Sequence, residues 1–126
     1  MATEHSITKN SLFQNGDQPF TELFALLPQL QRNISGNNIS YETDTPTLEA
    51  IHLHAGNAVC LLLNSIQSLG VLLATAADNK DMGLSLSEVS QIGWLVQAIG
   101  NMLSGCYVLE ADVGAELARR GISILN

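Results

Sequence analysis

Charged residues are what this sequence has least of. Only 13% of its 126 residues are Asp, Glu, Lys or Arg, and none of them falls in residues 50–77 or 89–109. A helix with one face in water scatters charges along that face, so a long charge-free helix is covered over most of its surface by protein or lipid. Two such helices cannot cover each other completely. Basic residues are scarcer still. Lys9, Arg32, Lys80, Arg119 and Arg120 are the only five, against a formal net charge of −7. They form no stripe, and phosphate contacts need clustered Lys and Arg, so no direct nucleic-acid binding is expected. Two cysteines, Cys60 and Cys106, are too few and too far apart for a disulfide scaffold or a zinc site. Both lie in apolar helical stretches and are expected to behave as small buried hydrophobes. Residues 1–17 are polar and lack the apolar run of a secretory signal, which sets a cytoplasmic expectation.

What the chain does contain is apolar residues, 46% of the total, enough for one small domain of the kind that gains from oligomerising. The chain divides into an N-terminal segment and loop, 1–44, and a helical unit, 45–126. Asn15-Gly16 suits a type I′ turn of a short hairpin between 11–13 and 18–20. Leu23, Phe24, Leu27 and Leu30 recur at helical spacing, with Pro28 limiting the run, which predicts one short helix laid over the main helices. Residues 33–44, with Ser35-Gly36-Asn37-Asn38, predict a loop.

A first long helix is predicted from Thr45-Pro46, with the Thr45 hydroxyl as cap and Pro46 at the first helical position. It should stop near Asp78. A second starts at Ser85-Leu86-Ser87-Glu88, a capping box flanked by Leu84 and Val89 as a hydrophobic staple. It should end at Arg119, Arg120 and Gly121, with Ile122 returning to Leu117 in a Schellman motif. Ile92, Leu95, Ile99, Met102, Cys106, Leu109 and Val113 form an unbroken a/d seam on it. Another face carries Gly93, Gly100, Ser104, Ala111, Gly114 and Ala118. Glycine costs roughly 1 kcal/mol against alanine in a helix interior, so close approach of another helix at Gly100 and Gly114 is expected. The predicted fold class is all-α: a long antiparallel hairpin with a short helical or irregular N-terminal segment, self-associating as a dimeric four-helix bundle. A membrane hairpin is not expected, because Asn57, Asn64, Gln67, Gln97 and Asn101 interrupt the apolar runs.

Candidate chemistry is sparse. Glu49 and His52 have the Glu-x-x-His spacing of di-iron bundles. An antiparallel turn near 79–84 sets them opposite Asp112 and Glu116. A polar cluster of Glu49, His52, Asp112 and Glu116 is therefore predicted at the open end of the hairpin, with His52 or His54 bonded to one of the carboxylates. The structural reading is preferred to a metal site, and no metal or cofactor is expected. No nucleophile–base pair, Gly-x-Ser-x-Gly or phosphate loop is present, so no enzymatic activity is expected.

Phe13, Gln18-Pro19-Phe20 and Leu23-Phe24, followed by helices over 50–73 and 92–109, resemble a family of short bacterial, mobile-element-associated helical-hairpin proteins. This chain differs from that pattern by extra residues between Phe20 and Phe24 and a longer 27–44 connection. The family carries no established activity. The resemblance implies the hairpin architecture and a prophage or mobile-element setting. Together these readings point to a small accessory or regulatory protein acting through protein–protein contact. The alternatives are an inhibitor of a host enzyme or defence complex, bound through acidic helix ends, and a metal-binding bundle.

Overall fold

The computed structural model describes residues 12, 15–79 and 83–123. Its elements run in the order α1 (Pro19–Leu26), a 3-10 turn (Leu27–Gln29), β1 (Arg32–Ser35), β2 (Asn38–Tyr41), α2 (Thr45–Asp78) and α3 (Leu86–Arg119). The long helices begin and end where local chemistry dictates. Asp44, one residue before the predicted cap, accepts from the Thr47 N–H at 3.4 Å. Thr45 already has helical backbone, so the capping role falls to its neighbour. At α3 the capping box closes in both directions: Glu88 N–H to Ser85 Oγ at 3.2 Å, and Ser85 N–H to Glu88 Oε2 at 3.1 Å. At its far end Gly121 takes φ +77°. The Gly121 N–H then bonds the Ala118 carbonyl at 3.0 Å and the Ile122 N–H the Leu117 carbonyl at 2.9 Å, the paired bonds of a Schellman motif.

The two long helices pack antiparallel in the predicted register. Arg120 Nη1 donates to Thr45 Oγ1 at 3.1 Å. Farther along, a Cβ added at Gly56 would stand 3.1 Å from the Glu110 carboxylate. Nearer the turn, Ser68 and Leu72 face Leu95 and Ile99 across a groove.

The N-terminal segment departs from expectation in two places. Asn15, at φ 59°, does form a turn, closed by the Gln18 N–H to Asn15 carbonyl bond of 2.8 Å. The chain then enters α1 at Pro19 rather than a strand, because proline at the first helical position is already set to helical φ and has no N–H to satisfy. Residues 33–44 are not simply a loop. Arg32–Ser35 and Asn38–Tyr41 pair antiparallel, Ile34 opposite Ile39, about a two-residue turn at Gly36-Asn37. Gly36 has φ +62°, the type II′ pattern in which glycine occupies the first turn position. The fold is therefore mostly helical, as predicted, with a small two-stranded sheet added to it.

The core sits at the open end of the hairpin. Leu23 and Leu26 of α1 and Tyr41 of β2 close over Leu48, Ala50, Ile51, Ala55 and Ala58 of α2 and Cys106, Val113 and Leu117 of α3. Toward the turn this layer stops, and the two helices run on with only each other for cover.

Candidate interaction surface

The base of the hairpin is tied together by one carboxylate. Glu116 Oε2 accepts from Arg119 Nε at 2.9 Å and Nη2 at 2.6 Å. Its Oε1 accepts from the Tyr41 N–H at 3.5 Å and from Arg120 Nη2 at 3.3 Å. The guanidiniums then reach the sheet: Arg119 Nη2 donates to the Ile39 carbonyl at 2.9 Å and Arg120 Nη2 to the Tyr41 carbonyl at 2.7 Å. Burial pulls the Glu116 carboxyl upward. The bonds from Arg119 and the Tyr41 N–H, with the two guanidinium charges, outweigh it and hold the group below the usual carboxylate range. Burial, reinforced by Asp112, pushes the Tyr41 hydroxyl up.

This network replaces the predicted polar cluster. Among the described residues no hydrogen bond or ion pair joins Glu49 or His52 to Asp112 or Glu116, although the register that sets them opposite one another holds. Glu116 has nearer partners at i+3 and i+4 on its own helix, a spacing legible in the sequence. His54 is fully buried, and its Nε2–H donates to the Leu12 carbonyl at 2.9 Å rather than to a carboxylate. No group of three or more His, Cys, Asp and Glu side chains is placed to hold a metal among the described residues. A cleft of about 540 Å³ between Asn38–Ser40 and Asp112, Ala115 and Arg119 lies beside the network. Its one guanidinium is already engaged by Glu116 and Ile39.

The distal half of the hairpin is different in kind. Leu61, Leu63, Val71 and Leu72 on α2 and Val89, Trp94, Leu95, Val96, Met102, Tyr107 and Val108 on α3 are all exposed. Trp94 is 68% exposed and Leu72 66%, levels typical of surface polar groups. Both helices are apolar enough over 18 residues to cross a membrane, and only 11% and 6% of those windows is buried. The uncharged polar residues are not spread evenly. Gln67 and Thr75 on α2 and Ser90, Gln97, Asn101 and Ser104 on α3 are exposed and cluster, at 3.6 residues per turn, away from the helix–helix seam, whereas Asn64, Ser65 and Ser68 line the groove beside it. Ser65 and Thr75 return their hydroxyls to the carbonyls of Leu61 and Val71 at 2.8 and 2.9 Å.

The predicted self-association residues divide into three groups. Ile92, Ile99, Cys106 and Val113 lie on the line facing α2: Cys106 and Val113 are buried, Ile92 and Ile99 half-buried. Leu95 and Met102, both exposed, and the half-buried Leu109 are turned to one flank of the hairpin, where Leu95 lines the groove with Ile99. Gly100 and Gly114 lie on the opposite flank by the same periodicity. Among the described residues nothing stands within 4 Å of a Cβ built on Gly93 or Gly100, so within the single chain no other element closes on those two positions; a Cβ on Gly56 would meet the end of the Glu110 side chain. Of the cysteines, Cys106 is buried and its thiol pushed up by that burial, whereas Cys60 is exposed, contrary to expectation. It falls on the α2 face turned away from the seam. Comparison of the chain with known protein families, characterised proteins and solved structures finds no match.

Proposed function

We propose that this chain is a small non-enzymatic accessory or regulatory protein, of bacterial or phage setting, that works by protein–protein contact and self-associates through the distal half of its hairpin into a dimeric four-helix bundle. The observation that carries the reading is the charge-free distal half, whose large apolar side chains lie open to solvent in the single chain. Contiguous apolar patches beyond a few hundred Å² are rare on monomers and mark interaction sites. Packing two hairpins together supplies the cover that neither has alone. The acidic balance of −7 keeps the assembled particle soluble while the uncharged surface is hidden.

A membrane-inserted hairpin is the second reading, favoured by the length and low burial of the two apolar windows. The clustered Asn, Gln, Ser and Thr side chains support the soluble assembly over it, since amides facing lipid go without partners. Light scattering of the purified chain at micromolar concentration tests the proposal, with twice the 13.5 kDa chain mass expected. A monomeric mass in a detergent-free, soluble sample removes it. Flotation of the protein with lipid vesicles would support the membrane reading instead.

A further inference from the structure

We infer that one particular flank of the hairpin, the grooved one, receives a second copy of this chain, and that the two distal halves lie antiparallel across it. The inference rests on the self-association reading above and specifies its surface. On α2 the stripe Thr47, Ala50, His54 and Ala58 is buried. At the same three- and four-residue spacing it runs on into Leu61, Ser65, Ser68 and Leu72, all of them exposed and all but Leu61 lining the groove. On α3 the line of Glu116 and Leu109 is covered or half-covered, and Met102 and Leu95 continue it, at seven-residue spacing, uncovered. This flank is therefore roofed at its base by the N-terminal elements and loses its roof halfway along. The uncovered part holds a groove of about 410 Å³ lined by Ser65, Ser68, Leu72, Leu95 and Ile99, a depression that takes a ridge of side chains from another helix.

Charge and shape select the occupant. Residues 50–77 and 89–109 carry no formal charge, so two chains of net −7 meet there without opposing like charges, which cost heavily when juxtaposed. The roof stands on the same flank, so a parallel pair would collide roof against roof and hold the distal halves apart. An antiparallel pair seats each distal half in the space beyond its partner's roof. About 18 residues of each helix overlap, roughly 27 Å, across two helices about 20 Å wide. That gives roughly 500 Å² per copy and about 1,000 Å² in all, the size at which a specific interface becomes tenable. The opposite flank, bearing Gly70, Gly93 and Gly100 with open space before them and the exposed Val96, has no roof and lies outside this contact.

Two pairs of charge insertions test this in the full chain by sedimentation equilibrium. Ser68→Glu and Leu95→Glu, on the grooved flank, are expected to weaken dimerisation at least tenfold. Gly100→Glu and Val96→Glu, on the other flank, are expected to leave it unchanged. Ser68 is exposed, so its substitution leaves the core intact even if Leu95→Glu disturbs folding, and circular dichroism checks both. Dissociation by Gly100→Glu with Ser68→Glu still dimeric would place the contact on the wrong flank and overturn this inference while leaving self-association standing. Four dimeric variants would overturn it likewise, and a monomeric parent chain would remove both proposals. Orientation is read by dipolar spectroscopy between nitroxides on Gly83→Cys in a Cys60→Ser background. Tips about 27 Å apart, the overlap length, are expected, and tips in near contact would overturn the antiparallel arrangement.

Discussion

Replacing Glu116 with glutamine should destabilise the folded chain by about 1–2 kcal/mol at neutral pH, and the loss should fade in acid. The substitution keeps the volume, so no cavity term enters. It removes a charge that accepts from Arg119, Arg120 and the Tyr41 N–H, and its new NH₂ faces donors. Hydrogen bonds to charged groups contribute about 1.5–3 kcal/mol. The Arg119 side chain is 52% exposed, and solvent screening reduces its share toward the value of a surface pair, about 1 kcal/mol or less. The folded carboxyl titrates below its unfolded value of about 4.3. Its stabilisation is therefore fully present above that pH and is lost as pH falls through the folded value. Urea unfolding of both proteins, followed by circular dichroism at one fixed concentration, should show the difference at pH 7 and a narrowing gap below about pH 4. In thermal scans at pH 7 the midpoints should differ by roughly 4–8 °C. Coincident midpoints at pH 7, or a gap that persists unchanged into acid, would refute the assignment of Glu116 as the charged tie between helix and sheet.

Two further outcomes follow from burial. Leu117→Ala, at a position 1% exposed, should cost about 2–5 kcal/mol, whereas Leu86→Ala, at 90% exposed, should change stability by less than about 0.5 kcal/mol; comparable losses at the two would place the core elsewhere. Titration of the native protein with a thiol reagent should report Cys60 promptly and Cys106 only after denaturation, because one is exposed and the other buried with its thiol pushed up. Two fast-reacting thiols in the folded protein would contradict the packing at the base of α3.

The long helices and their register were legible in the sequence because their signals are local. A cap, a capping box and a Schellman turn each involve residues no more than five apart, and Ser85–Glu88 and Leu117–Ile122 make the expected bonds within that span, while the cap of α2 falls at Asp44, one residue before the predicted Thr45. The lack of charge in residues 50–77 and 89–109 likewise announced surfaces that need cover. What covers them was not legible. Three- and four-residue spacing identified an apolar stripe on α3 but could not say that Ile92, Ile99, Cys106 and Val113 would meet α2 while Leu95 and Met102 turned to a flank, since the width of the stripe exceeds one seam. The small sheet is not legible in the sequence because four-residue strands rich in Asn and Ser carry little alternation. They are held by Tyr41 entering the core and by guanidiniums from a helix some 80 positions away, as in the Arg119 to Ile39 bond. Antiparallel register sets Glu116 opposite His52 of the other helix, but its own neighbours Arg119 and Arg120 take the carboxylate instead. Local sequence sets where an element starts and stops; which of its faces is buried depends on contacts between distant segments, and these exist only once the chain has folded.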